Sequence, residues 1–477
     1  MARGKKKKKQ TLVLLLIAVV ILTAILLLLK NKNNDNDIEE ETTDTTMAEI
    51  DISKIKEISF KNEYDSFEFV KDADGMWANV KDDSFPLKQA ELNSIENSIE
   101  NINYNLIVSK TPEDLAQYGL DNPLVSALIT LDDGSKTQLN IGIKLPVADG
   151  YYAMINDDLA VYVINNDLFN VFNKSQSDML TVEVLPTISA DSIGYVKLTN
   201  EDKVTLEMKY NENEPAGFSG FNNWQVLQPY EKVMEGNTYT ILEYLEKFGT
   251  LYFNKCIDYK VDDLAQYGLE NPSSIIYLEY VEILEDNDNA EEMPTHVLEL
   301  QLGNTNEEGD YYARTSDSNS VHILSKGFLT DLVEVDTFAL LEKGLTSINI
   351  ETVDSMEVRS GQKEYLMEIK RDTSTTEEDE VATYYIDNVE VEEEKFKTIY
   401  QRIIKARGEK LLEEDYVHNE TDEPLLWIIF HRNTKKDKTV DIKYYVYDNS
   451  YCAVDINGDM IYITDRRTAE EVIESFE

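Results

Sequence analysis

The chain has 477 residues, 92 Asp and Glu against 45 Lys and Arg, and a formal charge of −47. A body that acidic repels nucleic acid and anionic lipid surfaces, which removes both as expected partners, and its plain use is solubility and mutual repulsion. The four His (His296, His322, His418 and His431) show no H-E-x-x-H or paired metal spacing, and Gly-rich phosphate loops, a Gly-x-Ser-x-Gly elbow and an EF-hand calcium loop are missing, so no enzyme, cofactor or metal is expected.

Residues 1–11 are basic, with Arg3 and Lys5 to Lys9, and an apolar run from Leu12 to Leu29 follows, broken only by Thr23. Such a run is long enough to span hydrocarbon, and the flanking lysines hold its amino terminus on the cytoplasmic side. Residues 12–29 therefore read as a single transmembrane helix with everything beyond them outside the cytoplasm. A cleaved signal peptide is the competing reading, but its apolar region is shorter and ends in a small-x-small site. Here the run stops at Lys30-Asn31-Lys32. Charge follows this division: residues 1–32 hold eight Lys and Arg and no acid, so the remaining 37 cations face all 92 carboxylates.

Residues 30–48 form an acidic linker almost without apolar residues, a composition that cannot collapse. Three repeat domains are expected after it, at 49–187, 188–346 and a divergent 347–477, with boundaries falling between separate cores. Each opens with paired strand signals, such as Ile55–Phe60 and Phe67–Val70, followed by a Trp strand at Trp77 or Trp224. A helix comes next. Its apolar stripe is Leu92, Ile95, Ile99 and Ile102 in the first copy, Ile241, Leu242, Leu245 and Phe248 in the second, and Phe396, Ile399, Ile403 and Ala406 in the third. Gly249 and Gly408 then predict left-handed helix ends. Four more strands are expected in the first copy at Leu124–Leu131, Thr137–Ile141, Tyr151–Ile155 and Ala160–Ile164, closed by an amphipathic turn near Leu168–Phe172. Clustered strands with one principal helix make the fold class α+β, each domain a mainly antiparallel sheet packed with that helix. Acidic insertions near 283–294 and 371–380 read as surface loops.

The repeats announce themselves through one phrase. Asp114-Leu115-Ala116-Gln117-Tyr118-Gly119-Leu120 recurs letter for letter as Asp263-Leu264-Ala265-Gln266-Tyr267-Gly268-Leu269, each followed by an acid, Asn and Pro, ending at Pro123 or Pro272. Tyr151-Tyr152-Ala153, Tyr311-Tyr312-Ala313 and Tyr451-Cys452-Ala453 then mark a later strand in all three copies. The phrase predicts one helical turn ending on Gly119 or Gly268, with Leu120 or Leu269 folding back on the preceding Leu and Asn-Pro forcing an extended exit. Asp114, Leu115, Tyr118, Gly119, Leu120 and Pro123, with Asp263, Leu264, Tyr267, Gly268, Leu269 and Pro272, are thus structural candidates. Trp77 and Trp224 read as core anchors, and His322, aligned with Tyr162 and Tyr462, as a strand residue. Cys256 and Cys452 lie in different copies and read as stray small hydrophobes, with an interdomain bridge as the alternative. The 28 Tyr keep a sugar-binding surface open as an alternative.

With its Trp strand, D-L-A-Q-Y-G-L-D-N-P at Asp114–Pro123, Ile141-Gly142, Gly150-Tyr151-Tyr152-Ala153 and Val161-Tyr162-Val163, the chain resembles the bacterial domain-of-unknown-function 4340 family. The resemblance covers the first two copies; the third lacks the matched Trp and Tyr-Gly-Leu. It implies a single-pass envelope protein without assigned activity, associated with ABC transporters of the gliding-motility or ABC-2 type, and supplies no catalytic residues. The expected function is protein–protein contact at the outer face of the cell membrane, as an auxiliary part of an ABC-type transport or surface-assembly complex. The alternative is cell-wall polymer binding, with the acidic surface as a calcium or cationic-polymer contact.

Overall fold

The computed structural model describes residues 45–212, 218, 222–281, 294–372, 381–413, 416, 418–419 and 421–476. The apolar run 12–29, the linker up to residue 44 and nearly all of both acidic insertions lie outside the described residues. Among the described residues no helix is long and apolar enough to cross a membrane. The chain divides into two compact units, residues up to 75 with 90–173, and 76–89 with 174–477.

In the first unit, β1 (Thr46–Glu49) pairs with β5 (Asn101–Asn103). The main sheet contains β2 (Ile55–Lys61), β3 (Ser66–Lys71), β6 (Leu106–Ser109), β7 (Val125–Leu131), β8 (Lys136–Lys144), β9 (Tyr151–Ile155) and β10 (Val161–Ile164). Their order is β3-β2-β7-β8-β9-β10-β6, antiparallel throughout. Alternation sets the faces: Ile58, Phe60, Val125, Ala127, Ile129, Leu139 and Ile141 are buried, while their neighbours point the other way. Helix α1 (Gln89–Ile99) turns Leu92, Ile95 and Ile99 inward, each fully buried and each contributing about 1.5–3 kcal/mol of transfer free energy. Glu96 on the same helix pairs with Lys71 of β3. Helix α2 (Asn166–Phe172) is held by Asn62, whose Nδ2 donates to the Phe172 carbonyl at 2.7 Å.

The second unit opens with β4 (Trp77–Asn79) and α3 (Gln176–Met179). Its first sheet contains β11 (Ile193–Asn200), β12 (Lys203–Tyr210), β13 (Trp224–Gln228), β14 (Met234–Glu235), β15 (Lys255–Asp258), β16 (Ser274–Val281), β17 (Thr295–Thr305), β18 (Tyr311–Thr315) and β19 (Val321–Leu324), in the order β14-β13-β12-β11-β16-β17-β18-β19-β15. Helices α4 (Thr238–Leu245) and α5 (Lys326–Val333) belong with it. The next sheet contains β20 (Val353–Ser360), β21 (Lys363–Asp372), β22 (Val381–Ile386), β23 (Val389–Val391), β24 (Lys410–Leu411), β25 (Leu426–Arg432), β26 (Thr439–Val446), β27 (Tyr451–Ile456) and β28 (Asp459–Asp465), ordered β23-β22-β21-β20-β25-β26-β27-β28-β24. Helices α6 (Glu393–Ile404) and α7 (Arg466–Glu474) accompany it. The order of the third sheet reproduces that of the second element for element, and that of the first over the strands described there.

Five expectations are corrected. Ile102 and Ala406 are buried but lie beyond the ends of their helices, Ile102 in β5, so the stripes stop at Ile99 and Ile403. Tyr244, not Leu242, completes the buried stripe of α4, because its hydroxyl reaches the Leu332 carbonyl at 2.9 Å and so is satisfied inside the core. Gly249 and Gly408 do not have positive φ. They are required by close approach instead: a Cβ at Gly249 would lie 2.6 Å from the Ile188 carbonyl, and one at Gly408 would lie 2.6 Å from the Tyr462 ring. The second insertion begins only after β21, which carries Arg371 and Asp372 within the sheet. Finally, one buried cluster runs from Leu185 to Val472 without a break at 346. Leu340, Leu341, Leu345 and Ile348 belong to it, Thr346 Oγ1 donates to the Ile403 carbonyl at 2.6 Å, and Leu345 N–H donates to the Ala406 carbonyl at 3.0 Å. The second and third repeats share a core.

Candidate functional site

The repeated phrase forms the same corner twice. Ala116–Tyr118 and Ala265–Tyr267 are single 3-10 turns, each introduced by an Asp whose carboxylate accepts from the backbone N–H two residues on, at 2.9 Å for both Asp114 and Asp263. Gly119 has φ 67° and Gly268 φ 70°, the left-handed region that side chains resist. Leu120 N–H then returns to the Leu115 carbonyl at 3.1 Å, and Leu269 N–H to the Leu264 carbonyl at 2.9 Å. Leu120 and Leu269 are buried, and Pro123 and Pro272 lead into β7 and β16.

A second glycine receives each corner. A Cβ on Gly142 of β8 would stand 2.1 Å from the Tyr118 carbonyl oxygen, and one on Gly303 of β17 would stand 2.1 Å from the Tyr267 carbonyl oxygen. The corner backbone lies directly on a strand backbone, which only glycine permits. Tyr118 closes the contact by meeting Tyr152 of β9 edge-on at 5.0 Å, and Tyr267 meets Tyr312 of β18 at 5.1 Å. Burial, with Asp258 nearby, pushes the Tyr267 hydroxyl up to about 12.

The third repeat tests this pairing from within the molecule. The registers Val125 to Ile141, Ser274 to Leu302 and Leu426 to Tyr444 place Tyr445 where Gly142 and Gly303 stand. The phrase is missing from this repeat, and so is the glycine. Tyr445 is buried, with the His418 ring 4.1 Å away, and the register that pairs Tyr444 with Val454 sets Ala453 in the place of Tyr152 and Tyr312. Corner, glycine and tyrosine are lost together, as parts of one packing unit.

Trp77 and Trp224 are buried, 3% and 2% exposed. Gly236 N–H donates to the Trp224 carbonyl at 2.9 Å, and in the third sheet Tyr384 pairs with Val391 in the corresponding place, packing on Phe396 at 4.9 Å. Tyrosine thus fills the tryptophan position. Cys256 and Cys452 are free and buried, their thiols pushed up by burial to about 12 and about 11.

A cluster that the residue pattern did not announce gathers around Glu183. Its carboxylate accepts from Thr315 Oγ1 at 3.2 Å and Ser318 Oγ at 2.8 Å, and lies 3.2 Å from His322 Nε2. His322 is 1% exposed and stacks on Phe253 at 4.4 Å. Its Nδ1 is buried without a hydrogen-bond partner among the described residues. Burial lowers the imidazole's proton affinity, and Glu183 only partly opposes that. Nearby, Asp178 pairs with Lys255 at 2.7 Å, while Asp82 accepts from Tyr259 and Lys260 at 2.7 and 2.6 Å. Burial opposes ionisation of Asp178, but the bonds from Lys255 and Ser175 prevail and bring its carboxyl down to about 2. These groups lie between strands and connecting segments, and what they do chemically is hold segments in place. Among the described residues no group of three or more His, Cys, Asp or Glu is placed to hold a metal ion.

Two stretches, residues 77–251 and 224–424, match the family described as Domain of unknown function (DUF4340). The chain belongs to this family. Each DUF4340 match begins at a buried Trp and runs through a corner-bearing repeat to beyond the principal helix of the next. No curated protein and no solved structure matches the chain.

Proposed function

We propose that this DUF4340 protein is a non-enzymatic, membrane-anchored extracytoplasmic protein that works by protein–protein contact, as an auxiliary component of an ABC-type transport or surface-assembly complex. The span is residues 12–29, with the amino terminus cytoplasmic. The observation that carries the reading is the use made of the repeated motifs: the corner, its glycine and its tyrosine pair are all consumed in packing. Among the described residues the sheets also present polar faces and strand edges, the material of contact. Detergent extracts of membranes bearing the tagged full chain are expected to yield a nucleotide-binding subunit or a multi-span permease; recovery of neither would overturn the transporter assignment. Protease added to spheroplasts is expected to degrade the chain beyond residue 31, and full protection would reverse the topology.

Cell-wall polymer binding is the second reading, favoured by half-buried aromatics on the polar faces of the sheets, Tyr195, Tyr277 and Trp427. Their condition weighs against it. Tyr195 and Tyr277 donate to Glu207 and Glu279, and the Trp427 ring lies 4.6 Å from the Arg359 guanidinium and 5.2 Å from Lys443 Nζ. Co-sedimentation of the protein with purified wall material separates the two readings.

A further inference from the structure

The same strand edge recurs in all three sheets, and among the described residues two of the three carry a cover. On β15 of the second repeat the cover is the segments 76–89 and 174–187: Asp178 meets Lys255, Asp82 meets Tyr259 and Lys260, and the Phe85 ring lies 5.2 Å from Tyr259. On β24 and β28 of the third repeat it is the residues before 344. Gly408 N–H donates to the Lys343 carbonyl at 2.7 Å, Tyr462 hydroxyl donates to the Glu342 carbonyl at 3.3 Å, and Lys232 pairs with Asp459.

Register identifies the matching edge of the first repeat. Ile107 faces Tyr162 there as Cys256 faces His322 and Leu411 faces Tyr462. Leu106 therefore occupies the place of Lys255 and Lys410, and Val108 that of Ile257 and Leu412. The chain also enters by the same path, since Tyr104 N–H donates to the Thr45 carbonyl at 2.9 Å just as Gly408 does to Lys343. Yet β6 is the last strand of its sheet, Leu106 is 52% exposed and Val108 is 38% exposed. The residues that precede Thr45, Ile38–Asp44, contain one apolar residue and no aromatic, whereas the two covers bring Phe85, Met179 and Leu180, and Phe338, Leu340 and Leu341. The chain's own approach lacks the anchors that the position uses elsewhere.

We propose that the β6 edge of the first repeat is the docking surface for a partner protein, which lays an apolar segment bearing an aromatic or branched side chain over Leu106 and Val108. This rests on the contact function proposed above and names the surface. The chemistry follows from the substitutions. The lysines that receive carboxylates on the second repeat, Lys255 and Lys260, are Leu106 and Thr111 here, so an acidic cover has lost its counter-charges and an apolar one has gained its footing. Lys110 follows the strand, and among the described residues β6 is an edge whose outer backbone groups suit strand addition.

The test places p-benzoylphenylalanine at Val108 in the full chain in its native membranes, with the exposed Tyr239 as control site. The expected product is a crosslink to a different protein, mapped by mass spectrometry to an apolar segment of it, with yield reduced at least tenfold by Leu106→Asp and no such product from position 239. Leu106 is half exposed, so this substitution leaves the fold in place, which unchanged hydrogen exchange of β7 and β8 would verify. A crosslink into residues 31–44, a crosslink to a second copy of the chain, a crosslink that Leu106→Asp leaves intact, or none at all would each overturn the proposal. Pull-down distinguishes the two levels of failure: transporter subunits recovered equally by the parent and by Leu106→Asp refute this surface alone, and none recovered by either refutes the contact function with the transporter.

Discussion

Alanine at Gly142 probes the corner at its tightest point. The added Cβ would meet the Tyr118 carbonyl oxygen at 2.1 Å, the Gly119 carbonyl carbon at 3.2 Å and Leu120 Cγ at 3.2 Å. Two of these atoms are backbone, and no rotamer change relieves them; the corner must lift by roughly 1 Å to restore ordinary contact. Overpacking of this kind costs about 1–3 kcal/mol, and the loss of a flexible glycine from the unfolded chain returns about 0.4–1 kcal/mol, leaving a net loss of about 1.3 kcal/mol. Hydrogen exchange reads it locally. Peptides covering residues 114–123 and 137–144 are expected to open roughly 10-fold more often, while those of the third repeat stay unchanged. Gly303→Ala is expected to act in the same way on the second repeat. Gly134→Ala is the control, since φ there is 83° and nothing lies within 4 Å of its Cβ: it feels only the left-handed penalty, about 1–2 kcal/mol, and leaves the corner peptides unaltered. Parent-like exchange at the corner in Gly142→Ala would show that the Tyr118 carbonyl does not rest on that glycine.

Two further outcomes depend on pH. His322 has a lowered proton affinity in the fold, so the unfolded chain binds more protons below pH 6.5; stability is therefore full above that value and declines as pH falls below it, and His322→Phe, stacked on Phe253, is expected to remove that slope in urea titrations between pH 7 and 5. Asp178, with its carboxyl down at about 2 against an ordinary 3.8, stabilises the fold above pH 3.8 and loses that contribution as pH falls towards 2. Because the pair with Lys255 is more than a third exposed, Lys255→Ala is expected to remove no more than about 1 kcal/mol, and a much larger loss would show that the segment around Asp178 depends on that ion pair.

What the sequence made legible was periodic or repeated. The helix stripes at Leu92, Ile95 and Ile99 and at Phe396, Ile399 and Ile403 follow from side-chain spacing alone, and a twice-written phrase draws attention to Gly119 and Gly268 whatever its function. Less legible were contacts between distant residues. Gly142 carries no positive φ and sits inside a strand, so its requirement comes wholly from the Tyr118 carbonyl that the fold brings to it. Tyr244 looks polar until Leu332 supplies a carbonyl, and Glu183 is one carboxylate among 92 until Thr315, Ser318 and His322 converge on it. Strand β6 is only four residues long and follows the three-residue β5 closely, so its alternation is too brief to register; a comparison with Lys255 and Lys410 in the other copies was the signal that could have found it.

The junction at 346 turns these packing facts into a test of how repeats cohere. If each repeat had its own core, a chain ending there would retain a fully stable second domain. The structure gives a different expectation. Leu341, Leu345 and Ile348 are 1%, 3% and 2% exposed within a cluster that continues to Val472, and the backbone at Leu345 and the hydroxyl of Thr346 are bonded to Ala406 and Ile403 of the third repeat. Truncation after 346 deletes Ile348 and leaves Leu341 and Leu345; if half the burial of those two side chains comes from the third repeat, the second loses about 1.5–3 kcal/mol, since full burial of each is worth about 1.5–3 kcal/mol. Trp224 is a reporter inside the second core, and the urea midpoint of its fluorescence change is expected to fall accordingly in the truncated chain. Extending the truncated chain with the third repeat carrying Phe430→Ala would leave the contact but weaken its support, and is expected to give an intermediate midpoint. An unchanged midpoint after truncation would mean that the second repeat closes its core without its neighbour, and that the continuous cluster is juxtaposition rather than mutual stabilisation.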